Sequence, residues 1–297
     1  MDILPSSRAG FYILEKCRVM MKDNRVCYVQ EDKNKYKFIS IPNQNTSFIV
    51  LTIGCSISTA AARELAESGI IIMFAGNGGT PVFMASQEEY RPSEYMQQWT
   101  QIFFDEDRRL AVAKYFQEVR INNILKVYNS KDELKQKVFV DDICAEFLND
   151  LLKVKKGGEL LTYEGVFTKK IYARLAQNFN IKGFVRNHGA KDSSDLFNSY
   201  LDHGNYLAYG IASAALFSLG ISFAFPVLHG KTRRGALVFD VADIVKDALI
   251  MPNAFISASL GESDKELRER CINELDKYKA LPLLFEVIKE CATIGRF

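Results

Sequence analysis

The sequence predicts an α+β protein: a small β-rich, sandwich-like N-terminal domain over residues 1–90, then a larger all-helical domain over residues 91–297. Three observations carry that prediction. Short β-branched and aromatic runs separated by turn residues fill roughly the first 85 positions. Helical periodicity takes over after Pro92. Between the two lies a polar stretch, Gln87–Ser93, suited to a junction. At 297 residues, 48% hydrophobic and 25% charged, the chain has ample material for a buried core.

The strand-like runs are Gly10–Val19, Arg25–Val29, Tyr36–Ile41, Ser47–Ile53, Ile70–Ala75 and Pro81–Ala85. Lys22-Asp23-Asn24 and Gly76-Asn77-Gly78-Gly79 supply turn chemistry between them. One helix interrupts the set. Ser58 suits its N-cap, alanines and Leu65 fill Thr59–Glu67, and Gly69 sits where a left-handed cap belongs.

Helical periodicity covers Pro92–Phe104, Asp107–Tyr128, Asp132–Val154, Glu159–Phe179, Tyr200–Leu219, Asp240–Ile250, Asp264–Lys279 and Leu281–Ala292. Gly157-Gly158 separates two of these helices, and Pro252 is expected to close another. Tyr206 to Leu228 runs 23 residues without a charge, long enough to span a bilayer. Gly220 and Pro226 punctuate it, so a buried helix followed by a short extended piece fits better. No basic stretch followed by an apolar segment opens the chain, and the six scattered cysteines include no C-x-x-C pair. Both features predict a cytoplasmic protein with reduced thiols, free of a disulfide frame or zinc site.

The net charge of +2 conceals an asymmetry. Leu151–Phe239 holds twelve basic and five acidic residues, a local +7, which leaves −5 for the remainder. A basic segment of this kind is an electrostatic footprint for a polyanion, or a lysine-rich solvated face. Lys170 and Arg174, with Lys231, Arg233 and Arg234, are the candidate DNA contacts.

Within and beside that segment stand polar residues a core does not need. Asp240 and Asp243 lie three apart at the start of a predicted helix, after the strand-like run Gly235–Phe239, and Asp247 follows four residues on. Dipole complementation accounts for Asp240, less well for Asp243 and hardly for Asp247. His229 ends an apolar run beside Gly230-Lys231-Thr232-Arg233-Arg234, and Glu164 is the only acid between Leu160 and Lys191. Structural roles remain open for both, as a buried histidine and as an ion-pair partner. Together, two carboxylates and an imidazole make an open N/O ligand set suited to Mg²⁺ or Mn²⁺, with remaining positions for water and phosphate.

The motifs that hold these residues resemble a known family. L-L-T-Y-E-G around Glu164, G-N-Y-L-A-Y-G at Gly204–Gly210 and L-H-G-K-T-R-R-G-A-L-V-F-D-V-A-D at Leu228–Asp243 look like the CRISPR-associated spacer-acquisition integrase (Cas-one). Thr52–Ile70 matches that family's strand, helix and strand. E-Y-R-P-S-E-Y at Glu89–Tyr95, with N-G-G-T-P-V-F before it, looks like the subtype I-F branch.

The resemblance implies that Glu164, His229 and Asp243 are metal ligands and that Asp240 assists, making the helical domain catalytic. It implies homodimers that bind double-stranded DNA, both captured fragment and repeat. It also implies a second adaptation protein (Cas-two), fused in subtype I-F to the helicase-nuclease (Cas-three). Many relatives carry Arg shortly after the second acid, where this chain has Lys246, and that position is left unassigned. The expected activity is metal-dependent DNA integration with endonuclease activity. A nuclease of branched or single-stranded DNA, and a non-catalytic DNA-binding subunit, are the alternatives.

Overall fold

A computed structural model describes residues 4, 7–32, 35–76, 81–85, 93–135, 137–187, 195–230 and 234–293. Lys231, Arg233, most of the Gln87–Ser93 junction and the Asn77-Gly78-Gly79 turn lie outside the described residues.

Two four-stranded sheets form the N-terminal part. One has the order β1-β5-β7-β8, from Gly10–Leu14, Thr46–Leu51, Ile71–Ala75 and Pro81–Ala85; the other has β4-β3-β2-β6, from Lys35–Ser40, Arg25–Asp32, Arg18–Lys22 and Ser56–Ile57. The run expected as one strand from Gly10 to Val19 is two, broken where Lys16 takes a left-handed φ of 48° and β2 leaves for the other sheet. Asp23 and Asn24 take φ of 50° and 60°, the pair of left-handed residues that closes a two-residue hairpin between β2 and β3. The expected helix α1, Thr59–Glu67, forms with Ser58 as its N-cap, its side chain accepting from Ala61 N–H.

The first sheet is buried on both faces. Ile49, Leu51 and Ile72 pack toward Val19, Val26 and Leu65 between the sheets and α1. Phe48, Val50, Ile71 and Met73 join Trp99 and Ile102 in a core continuous with the helices. Parallel strands covered on both sides need such continuous apolar runs, which is what β5 and β7 are.

The helices are α2 Ser93–Phe104, α3 Glu106–Ser130, α4 Asp141–Lys153, α5 Gly157–Asn178, α6 Leu196–Ser218, α7 Ala236–Val245, α8 Met251–Leu260, α9 Asp264–Lys277 and α10 Ala280–Cys291. Helix α6 runs through the centre, most of it buried, and ends where Gly220 adopts φ 69°. No described helix is long and apolar enough to cross a membrane.

Three expectations are corrected. Residues 132–135 form turns and 138–140 are non-helical, so that helix starts at Asp141. The strand-like run Gly235–Phe239 is helical instead: Gly235, at φ 65°, turns the chain into α7. Pro252 does not close the helix, because it sits in the first turn of α8, where its missing N–H has no partner to lose. A π-helical turn, Lys246–Ile250, joins α7 to α8 and packs against α6 at Gly204, where a Cβ would fall 2.6 Å from Ile250 Cγ2.

Candidate active site

The site forms where α5, α7, the π turn and the segment between α6 and α7 meet the buried face of α3. Trp99 on α2 anchors that segment, its Nε1–H donating to Phe225 O at 3.0 Å. Four residues later comes His229. Asp240, in the second turn of α7 and 3% exposed, gathers the segment's end. Its Oδ2 accepts from Val227 N at 2.7 Å and Leu228 N at 3.2 Å, and its Oδ1 accepts from His229 N at 3.0 Å.

The same Oδ1 lies 2.6 Å from His229 Nδ1. An ionised carboxylate only accepts, so Nδ1 carries the proton and Nε2 faces away with its lone pair. Asp240 is therefore neither a helix cap nor in the first turn; it organises the histidine. Burial works against a charged imidazole, yet the Asp240 hydrogen bond and the Asp243 and Asp240 charges raise the pKa of His229 above its ordinary value.

Asp243, one turn further on, is almost fully buried and pairs with Lys246 Nζ, itself mostly buried. Burial opposes its charge, but Lys246, Arg120 and His229 outweigh that and hold its carboxyl below the usual aspartate range. Lys246 is held charged in turn by Asp243 and Asp247 against the same burial.

Glu164 projects from α5 with Oε1 accepting from Arg120 Nη1 and Thr168 Oγ1, both at 2.9 Å. Arg120, on α3 and 1% exposed, also donates from Nε to Asp247 Oδ2 at 2.8 Å and pairs with that oxygen through Nη2. Asp247 thus turns inward to Arg120, whereas Asp243 pairs with Lys246. The π turn opens the helical register between them, and Tyr128 OH donates to Asp247 O at 3.3 Å, satisfying a carbonyl there.

His229, Asp240 and Asp243 are neighbours, and Glu164 is tied to the π turn through Arg120 and Asp247; the four do not form a closed ligand set. Among the described residues no three His, Cys, Asp or Glu side chains converge closely enough to hold an ion as they stand. Lys246 is paired with Asp243, and Arg120 with Glu164. The donor chemistry nonetheless fits a hard divalent cation: two carboxylates, an imidazole with a fixed tautomer and a carboxylate behind it. Counted formally, Glu164, Asp240, Asp243 and Asp247 against Arg120 and Lys246 leave two negative charges. One divalent ion cancels them.

The family model described as CRISPR associated protein Cas1 matches residues 11–259, which contain every residue of this site. The chain belongs to the Cas1 family. It is 40% identical to the CRISPR-associated endonuclease Cas1 of Pseudomonas aeruginosa, over 98% of this chain and 94% of that one. To the enzyme of the same name from Pectobacterium atrosepticum it is 39% identical, with the same coverage of both chains. A casposase bound to integration product shares the fold with a TM-score of 0.71 at 15% identity, over 96% of this chain and 90% of that one. A TtCas1–DNA complex does so with a TM-score of 0.66 at 21% identity, over 97% and 92%. The family resemblance and the α+β fold class read from the sequence are both borne out.

The candidate DNA contacts of this Cas1-family chain are placed unevenly. Lys170 pairs with Glu146, and Arg174 Nη2 pairs with Asp142 at 2.8 Å, so both are taken up between α4 and α5. Arg234 is exposed just before α7, while Lys231 and Arg233 lie outside the described residues. Sequence reasoning missed Arg120, Thr168 and the site role of Lys246. A signal for Arg120 existed: it shares the i, i+4 apolar stripe of α3 with Phe116 and Ile124, where a charge demands buried partners.

Proposed function

We propose that this Cas1-family chain is a CRISPR adaptation integrase that inserts captured DNA fragments into a repeat array by metal-dependent transesterification. The observation that carries the reading is the Asp240–His229 pair beside buried Asp243, with Glu164 approaching from α5. Glu164, His229 Nε2 and Asp243 would hold Mg²⁺ or Mn²⁺. When bound, such an ion stabilises charge on a phosphate and lowers the pKa of an attacking hydroxyl.

The protein's own residues do the rest. Asp240 keeps the proton on His229 Nδ1 and holds the 227–229 backbone, so Nε2 is presented as a donor atom. Lys246 keeps Asp243 ionised within the core until it is displaced from the carboxylate. Arg234, with Lys231 and Arg233, holds the DNA backbone and makes binding salt-dependent. The 3′-hydroxyl of the fragment attacks a phosphodiester at the repeat edge; a P–O bond forms, and the flanking strand leaves with a 3′-hydroxyl. A second attack follows on the opposite strand.

The expected assembly is a homodimer on double-stranded DNA with Cas-two, fused to Cas-three. The six cysteines are free thiols, which suits the cytoplasm. A second reading, a nuclease of branched or single-stranded DNA, draws support from the relatives' name of endonuclease. A labelled fragment incubated with a repeat plasmid and Mg²⁺ or Mn²⁺ separates the two. Joined product is expected; cut product alone favours the nuclease. Full activity in Asp243→Ala or His229→Ala sinks the ligand assignment, and metal-dependent activity lost in Glu164→Ala with DNA binding intact rejects a non-catalytic DNA-binding subunit.

A further inference from the structure

We infer that Arg120, clamped by Asp247 of the π turn, is a positioning residue that sets the orientation of Glu164 toward the metal site; this rests on the reading of Glu164 as a ligand. The guanidinium reaches Glu164 Oε1 through Nη1, Thr168 Oγ1 through Nη2 and Asp247 Oδ2 through Nε, and Gln117 Oε1 accepts a further bond at 2.9 Å. Every bond to Glu164 goes to Oε1. No described residue donates to Oε2, the oxygen left for a ligand.

Stability does not account for this arrangement. Buried charge pairs are commonly no better than a well-packed apolar pair of the same volume. Here one oxygen of the fully buried Asp247, Oδ1, has no hydrogen-bond partner among the described residues. What the charges supply is geometry. A planar guanidinium with donors in fixed directions couples α3, α5 and the π turn through one group. Its underside rests over the Phe167 ring at 5.3 Å from the centroid. Asp247 also balances the charge of Arg120, so the guanidinium can orient Glu164 without repelling a cation beside it.

The test uses the full chain and Mn²⁺ as probe, with affinity measured by titration calorimetry, alongside thermal unfolding. Arg120→Gln alone leaves Asp247 buried and unpaired, so the double variant Arg120→Gln/Asp247→Asn removes both charges together. We expect it to bind Mn²⁺ at least 10-fold more weakly while still binding DNA, and strand transfer to recover in part as Mn²⁺ is raised. Thr168→Val, isosteric and at the edge of the cluster, is expected to unfold with the wild type and weaken Mn²⁺ binding about 3-fold. That variant decides the matter if the double variant does not fold. Unchanged Mn²⁺ affinity in a folded variant, when Glu164→Gln weakens it, overturns the positioning role alone. Unchanged affinity in Glu164→Gln as well overturns the ligand reading, and the positioning role with it.

Discussion

His229 donates through Nδ1 to Oδ1 of Asp240 at 2.6 Å, and that carboxylate also accepts three backbone N–H groups from residues 227 to 229. One buried acid thereby fixes both the imidazole's tautomer and the path of the chain that carries it.

Asp240→Asn keeps the volume but turns part of this acceptor into a donor. Losing a carboxylate behind a ligating histidine weakens metal affinity or activity by roughly 10–100-fold. The expected outcome is a drop of that size in strand transfer with DNA binding retained, checked by product assay and gel shift. Asp240→Ala additionally strands buried N–H groups and is expected to lower stability by about 1–3 kcal/mol.

Lys246 and Asp243 predict an opposite balance. Lys246→Ala leaves a nearly buried carboxylate without its base, a loss of about 2 kcal/mol for a pair of this exposure. Saturating Mn²⁺ should return more stability to this variant than to the wild type, because it neutralises the same carboxylate. Thermal unfolding with and without Mn²⁺ measures the difference; equal shifts contradict it.

Gly204→Ala tests how tightly α6 seats the π turn. The new Cβ would meet the β-branched Ile250 Cγ2 at 2.6 Å, and overpacking of this kind costs about 1–3 kcal/mol. Combining it with Ile250→Ala removes the obstructing methyl, so the double variant should lose less than the sum of the two singles. Denaturant unfolding of all four proteins gives the coupling.

A second histidine pair predicts a pH dependence remote from the site. His203 on α6 bonds Asp264 at the start of α9, and Arg268 links Asp264 to Glu15 of the β domain, at 3.8 and 3.0 Å. The Asp264 hydrogen bond, against burial and Arg268 and helped by Asp202, raises the His203 pKa; the same bond lowers that of Asp264. The pair's contribution is thus fully present between about pH 3.9 and 6.5, and is lost as pH rises through the raised histidine value or falls through the lowered Asp264 value. Both side chains are nearly half exposed, so about 1 kcal/mol or less is expected. His203→Gln should unfold at a lower temperature than wild type at pH 5.5 and together with it at pH 8.5.

The β-branched runs of β5 and β7 were legible to within two residues, because their residue types and the turn residues around them favour a strand. The start of α7 was not. Ala236–Phe239 is a short apolar run that suits a strand or a buried helix equally, and only packing against α3 and α6 settles it. That misreading made Asp240 look like a cap. Likewise Pro252 reads as a stop unless the chain reaches it through a π turn, which no local pattern announces. His229, Asp243 and Glu164 were visible as polar residues in apolar surroundings. Arg120 comes from 44 residues away from Glu164, and such pairing is legible only in three dimensions, whereas Lys246 lies three residues from its partner Asp243.

In the proposed mechanism Glu164, His229 and Asp243 close on one divalent ion. Anomalous diffraction at the manganese edge from crystals grown with Mn²⁺ tests it directly. A single strong peak bounded by Glu164 Oε2, His229 Nε2 and the Asp243 carboxylate is expected, with Lys246 displaced from Asp243. A peak elsewhere, or none while Lys246 stays on Asp243, would contradict it.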